Sequence, residues 1–409
     1  VTASIVRPAS GRIRLSVPAF GIVLVLLGIG TARMTSLAGE FVTAYPKATL
    51  TSVLLFALLA VPFWLFVAEL DFLEREPVRL RLIAFAWGGL VATTVSIPGG
   101  AALENLIAKL GSPHLAADWG AAIAGPTVEE IAKTLGVVAI VLIARSQVNS
   151  VLDGVVYGAM VGLGFQIAED IVFAVGAVAL AGQGDQIQPV ITTFLLRGFL
   201  SGVWSHTLFG ALAGAGVGYL VVRRDPVRAI LAVLGAWAAH VLWNSPLLTD
   251  GLGNGVLALL GVILLKGLPP LLLILLLVRR LHDREADYYA SRLATLRDPE
   301  LITAGELFAL RSGARRAAAR RQAPGQAKAS VRRLQRAQAR LGVELSRAST
   351  TGIGHWSSVI RSERAVLKGL GHPEAIAEPT SWRHTASTVL TTVVAIAVLW
   401  VALSALGGA

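Results

Sequence analysis

The sequence predicts an all-α fold, a polytopic bundle of transmembrane helices with a helical basic insert on the cytosolic side. Three observations predict it. Of 409 residues, 55% are hydrophobic and mean hydropathy is +0.68, more than a soluble domain carries. The apolar residues fall in stretches of about 20, the length that crosses a bilayer as a helix. Charge is concentrated: residues 279–383 hold 20 Lys/Arg and 10 Asp/Glu, so ten of the net eleven positive charges lie there. Cysteine is absent, which removes disulfides, thiol nucleophiles and thiolate metal sites.

Nine spans are expected in order: Val17–Ala32, Thr51–Glu69, Leu82–Pro98, Gly120–Ala144, Gly154–Leu180, Val190–Val222, Val227–Asn244, Gly255–Val278 and Thr388–Leu406. The first eight form the core and the ninth is C-terminal. Arg7, Arg12 and Arg14 precede the first span, which reads as a retained signal-anchor. Loop Lys/Arg set the orientation. With the N-terminus inside, the inside segments hold Arg75/Arg79/Arg81, Arg145, Arg223/Arg224/Arg228 and the run from Arg279; outside loops hold Arg33, Lys47 and Lys109. This puts the N-terminus and the basic segment on the cytosolic side and the C-terminus outside. The expected divisions are an N-terminal hairpin (1–79), a membrane core (80–280), the basic helical segment (281–385) and the last span (386–409).

Two glycine rows, Gly154/Gly158/Gly162 and Gly210/Gly214/Gly218, have the four-residue spacing that lets helix backbones approach closely in lipid. In the basic segment, Val331–Leu341 reads as a helix with one apolar and one basic face. A solvated, topology-setting insert is the simplest account of it. Contact with anionic membrane lipids is the functional alternative; nucleic acid is not the expected partner.

Four apolar stretches are interrupted by ionisable groups: Glu129, Glu130 and Lys133; Glu169 and Asp170; His206; and His240 with Asn244. Such groups are rare in hydrocarbon and functional by default. At about 1.5 Å of rise per residue, Glu129, Glu169, His206 and His240 all lie about 20–24 Å from the inner ends of their spans. Four groups on four helices therefore share one level in the outer half of the membrane. Glu129 and Lys133 have i,i+4 spacing and are expected to pair, with Glu130 pointing elsewhere. Pro126 suits a first helical turn, and a helix starting near Gly125 would set its positive end beside both glutamates. Asp170 is expected only to hydrogen-bond within the bundle, Arg197 to snorkel near the outer interface, and Lys266 has no assigned role.

Carboxylates and histidines are also the groups that bind zinc or activate water. A Gly-x-Gly-Asp at 182–185 falls in a polar loop, and Ser201 lacks a convincing serine-dyad setting. Two readings outside hydrolysis exist. An ion-coupled transporter would use the same carboxylates, but no internal repeat is visible. A membrane scaffold would act through the basic segment.

At these residues the chain resembles the PrsW family of intramembrane proteases, distantly similar to the CAAX-processing and Abi membrane proteases. The resemblance rests on Glu129-Glu130-Ile131-Ala132-Lys133, on Phe165 with Glu169, on Arg197 with His206, and on His240 with Asn244, over about residues 80–280. Asp170 departs from the Asn that the family often has after this glutamate. The resemblance implies an endopeptidase that cleaves a single-span membrane protein, such as an anti-sigma factor, near the extracytoplasmic side. The expected site has Zn2+ held by Glu169, His206 and His240, Glu129 or Glu130 as general base, Asn244 as oxyanion donor and Lys133 tuning the glutamates. A metal-free variant, with a glutamate and a histidine activating water directly, is the nearest rival.

Overall fold

The computed structural model describes residues 17–70, 76–201, 206–247, 261, 263–347 and 350–376. The expected ninth span, the first part of the eighth, and Arg7, Arg12, Arg14 and Arg75 lie outside the described residues. Secondary structure among the described residues is entirely helical. The chain divides into two compact units, residues 1–253 with 257–281, and residues 254–256 with 282–409.

In the first unit run α1 (Pro18–Ala44), α2 (Pro46–Leu70), α3 (Val78–Leu110), α4 (Ala121–Ile143), α5 (Val151–Ala181), α6 (Gln188–Thr193), α7 (His206–Gly218) and α8 (Pro226–Asn244). Five of these, α1, α2, α3, α5 and α8, are long and apolar enough to cross a membrane. The chain is thus a multi-pass membrane protein. The α4 helix matches the expected fourth span in place, but Glu129, Glu130 and Lys133 interrupt its apolar run.

Three sequence expectations are corrected. The first helix does not stop at Ala32 but runs to Ala44. Its stop is Pro46, which forces the preceding Tyr45 out of the helical region (φ −139°, ψ 66°). The sixth span, Val190–Val222, is not one α-helix. A π-helical stretch, Phe194–Ser201, follows α6, and a second, Tyr219–Arg223, follows α7. The fourth helix does not begin at Pro126, which lies inside α4. Pro126 removes one backbone donor there, and the preceding glycine is the residue best able to bear the crowding. The positive helix end therefore does not sit beside the glutamates.

The α5 helix is buried along most of its length, and glycines explain how. A Cβ added at Gly158 would lie 2.0 Å from the Gly210 carbonyl oxygen, and one at Gly214 would lie 2.0 Å from that of Gly154. The two predicted glycine rows are thus the two sides of one seam between α5 and α7. At its end, a Cβ on Gly162 would lie 2.1 Å from the His206 carbonyl oxygen. On the α3 side, a Cβ at Gly164 would meet the Phe85 oxygen at 1.9 Å. Close backbone approach along these seams, together with buried side chains such as Tyr157, Met160 and Phe165, fixes α5 between its neighbours. A capping box of Ser150 and Asp153 starts α5.

The second unit contains the end of α9 (Leu268–Ala294), then α10 (Ala304–Leu310), α11 (Gly313–Gln322), α12 (Lys328–Arg347) and α13 (Thr350–Gly369). Its own core gathers Leu293, Leu310, Val331, Leu334, Leu341, Ile360 and Leu367. The helix expected over Val331–Leu341 is part of α12, with Val331, Leu334 and Leu341 buried as its spacing implied. Glu306 is buried against Arg364, whose Nη2 donates to Glu306 Oε2 at 2.6 Å, and Gln338 donates to the same oxygen at 2.8 Å.

Candidate metal centre

Four helices of the first unit bring the interrupting residues together. Glu129, Glu130 and Lys133 come from α4, Phe165, Glu169 and Asp170 from α5, His206 from the first turn of α7, and His240 with Asn244 from the last turns of α8. Glu129, Glu130, Lys133, His206 and His240 are all buried. The ring centroids of His206 and His240 are 4.9 Å apart and perpendicular. Phe209 stacks on His240 at 4.8 Å and Phe165 packs on His206 at 5.0 Å.

Each imidazole gives one ring N–H to a carboxylate. His206 Nε2 donates to Glu169 Oε2 at 2.9 Å, and His240 Nδ1 donates to Glu130 Oε1 at 2.8 Å. An ionised carboxylate only accepts, so those nitrogens carry the hydrogens. The other ring nitrogens, His206 Nδ1 and His240 Nε2, carry lone pairs, approached by the Lys133 ammonium at 3.1 Å and the Asn244 amide at 3.4 Å. Both ring nitrogens face Glu129 Oε2, at 3.7 and 3.8 Å. These three atoms lie within 4.8 Å of one another, and Glu129 Oε2 is buried with no hydrogen-bond partner.

This arrangement fits a metal ion. Three ligands at about 2.0–2.2 Å in a tetrahedral set stand roughly 3.3–3.6 Å apart, close to the 3.7 and 3.8 Å from Glu129 Oε2 to the two ring nitrogens. Carboxylates behind both histidines fix the tautomer that exposes the ligating nitrogen. An orphaned, buried carboxylate oxygen between two lone pairs has no other obvious counterpart. Of the three ligands expected from sequence, His206 and His240 are among the converging groups. Glu169 instead stands behind His206, and Glu129 occupies the third place.

The remaining charges are also paired. Lys133 Nζ donates to Glu130 Oε1 at 2.5 Å, an i,i+3 contact, and not to Glu129 as the i,i+4 spacing suggested. It also lies 3.1 Å from His206 Nδ1 and 4.8 Å from the Phe165 ring centroid. Arg197 is not peripheral. Its Nη2 donates to Glu169 Oε2 at 2.7 Å, its Nε to Asp170 Oδ1 at 2.9 Å, and it covers the Phe173 ring at 3.9 Å. The sequence signal for this was present, a cation next to an apolar run that holds two adjacent acids. Lys266 is buried and donates to the Ser245 carbonyl at the end of α8. Asn244 Nδ2 lies 3.4 Å from His240 Nε2.

A cavity of about 470 Å³ opens onto this group, with Glu129, Glu169, Arg197, His206, His240 and Asn244 on its wall. Thr93, Ser96 and Glu104 of α3 and Trp243 of α8 complete it; sequence reasoning did not single these out. A separate apolar groove between α4 and α8 has Glu130, Leu234 and Trp237 on its walls.

A family model described as PrsW family intramembrane metalloprotease matches residues 76–274. Residues 76–274 are a PrsW family intramembrane metalloprotease domain. No curated protein and no solved structure matches the chain. Every member of the buried cluster lies inside the PrsW domain, as does the cavity. The chain is therefore a membrane peptidase of the metalloprotease kind, and the transporter and scaffold readings fall away as its primary activity. The second unit lies outside the PrsW domain.

Proposed function

We propose that this peptidase holds a divalent metal, zinc, through Glu129 Oε2, His206 Nδ1 and His240 Nε2, and cleaves single-span membrane proteins. The observation that carries this reading is the unpartnered, buried Glu129 Oε2 facing two ring lone pairs. Two imidazoles and a carboxylate are a donor set typical of zinc hydrolases that keep an open position. The ion supplies Lewis-acid activation of water at neutral pH.

The chain's own groups have distinct tasks. Glu130 and Glu169 hold the two imidazoles in their tautomers. Glu169, on the cavity wall, is the carboxylate that accepts a proton from water and returns it to the leaving amine. The Asn244 amide donates to the oxyanion. Lys133 donates to Glu130 Oε1 and so pairs the charge of that carboxylate in the buried site. Arg197 and Asp170 fix Glu169 from the other side. This exchanges the roles that sequence reasoning gave Glu129 and Glu169.

With eight core spans, a ninth at the C-terminus and an inside N-terminus, the topology that loop charge supports, the site would lie in the outer half of a bacterial cytoplasmic membrane. Extracytoplasmic cleavage of a membrane-anchored protein, such as an anti-sigma factor, follows from that depth together with the family. Metal analysis of purified protein tests the ligand set. Glu129→Gln and His206→Ala should lose the ion, whereas Glu169→Gln should keep it at saturating metal. Loss in Glu169→Gln with retention in Glu129→Gln would restore the sequence-based set. Activity that survives strong chelators would favour the metal-free mechanism. For the substrate, co-expression with candidate single-span proteins should give a product that disappears in Glu129→Gln and His240→Ala.

A further inference from the structure

The second unit carries a charge pattern that peptide hydrolysis does not use. Arg332, Arg336 and Arg340 are spaced i, i+4, i+8 along α12, so they share one face of that helix. Arg332 is exposed and the other two are half-buried. Arg320, half-buried near the end of α11, faces the same place: burial lowers its pKa, and Arg332, Arg336 and Arg321 lower it further. None of Arg320, Arg332, Arg336 and Arg340 has an acidic partner among the described residues. Their neighbours differ. Arg333 binds Glu363 at 2.5 Å, and Arg361 and Arg364 also meet acids. The unit thus pairs Arg311, Arg333, Arg361 and Arg364 with acids and leaves this clustered face uncompensated, where like charges repel.

We propose that Arg320, Arg332, Arg336 and Arg340 form a docking face for phosphate-bearing anions, and that its occupant is the headgroup layer of anionic membrane lipids. Guanidinium groups match phosphate oxygens in a two-pronged geometry. No aromatic residue occurs between Gly313 and Arg347, so the face has no platform on which nucleic-acid bases could stack. The unit is also tethered. The apolar run Leu268–Val278 leads directly into Arg279 and Arg280, and a second apolar run, 388–406, follows. A face held beside a bilayer meets headgroups at high effective concentration, whereas a soluble anion must be recruited from bulk.

The chain has no cysteine, so one introduced thiol is labelled uniquely. Ala329 is exposed, one turn before Arg332. The full chain with Ala329→Cys, carrying a polarity-sensitive dye, is placed in nanodiscs of phosphatidylcholine alone or with about one-third phosphatidylglycerol. The Glu129→Gln background is used, so the readout does not depend on proteolysis. The expected result is a blue-shifted spectrum in the anionic discs only. The shift should reverse between 0.1 and 0.5 M salt as screening shortens. It should vanish in Arg332→Gln/Arg336→Gln/Arg340→Gln and persist in Arg333→Gln. The triple Arg→Lys variant, which keeps the charge, should retain part of the shift and so separates charge from misfolding. Identical spectra in both discs, or an unchanged shift in the triple Gln variant, would overturn the proposal. A shift produced in phosphatidylcholine discs by pyrophosphate or a short RNA, with none from phosphatidylglycerol, would overturn the lipid as the occupant.

Discussion

Replacing Gly158 by alanine should damage catalysis far more than folding, and the structure gives the size of the effect. The added Cβ would lie 2.0 Å from the Gly210 carbonyl oxygen, where real Cβ atoms do not come closer than 3.0 Å. The neighbour is backbone and cannot rotate away. α5 and α7 must therefore separate by at least about 1 Å, the difference between those two distances. Gly162, where the seam meets His206, is one helical turn farther on, about 6 Å along the axis. A 1 Å separation there stretches the 2.9 Å contact between His206 and Glu169 beyond hydrogen-bonding range. Overpacking of this kind costs about 1–3 kcal/mol in stability. A misplacement of about 1 Å at a catalytic group can cost roughly a hundredfold in rate. The assay pairs cleavage of a single-span substrate in proteoliposomes with thermal unfolding of the same preparation. Gly176→Ala, on the same helix with nothing within 4 Å of the new methyl, is the control and should be close to wild type. Wild-type cleavage and unfolding temperature in Gly158→Ala would refute the claim that backbone contact sets the site.

Removing one partner of the Lys133–Glu130 pair should be severe. Lys133→Met leaves a fully buried carboxylate without its cation, at a cost of about 3–5 kcal/mol, and the double variant Glu130→Gln/Lys133→Met should recover part of the lost unfolding temperature. Glu169→Gln should weaken metal affinity about 10–100-fold, the usual effect of altering the carboxylate behind a ligating histidine, as read by competition with a chelating dye. Arg197→Gln should lower the rate at saturating substrate without changing metal content, because it holds Glu169 and touches no converging ligand atom; loss of the metal would contradict that placement.

Much of the site was legible because charge in an apolar run is conspicuous. Glu129, Glu130, Glu169, His206 and His240 needed only their surroundings to be singled out, and the glycine rows announced which helices touch. What the sequence did not contain was rotation and rotamer. Glu129 and Glu130 are about 100° apart on α4, and only the neighbouring helices decide which one faces the rings and which takes Lys133. The i,i+4 rule chose Glu129 because it treats the helix as isolated. Arg197 was misjudged for a related reason. A cation near the outer interface reads as a snorkelling side chain, and only the neighbouring helix shows Glu169 and Asp170 opposite it.

The three charges of α4 also bear on how the protein comes to exist. Each charged residue at the centre of a lone helix opposes membrane insertion by roughly 2.5–3.5 kcal/mol, and α4 carries Glu129, Glu130 and Lys133 in its middle. Lys133 and Glu130 pair within α4 itself, and further relief comes from other helices: His240 on α8 for Glu130, and the Phe165 ring on α5 for Lys133. During biosynthesis α8 is made about a hundred residues after α4. The groups of the candidate metal centre are therefore also partners that α4 meets only after later helices are made. A chain that has not yet threaded its later helices still holds the Lys133–Glu130 pair of α4 but leaves Glu129 without the two histidines it faces in the finished site.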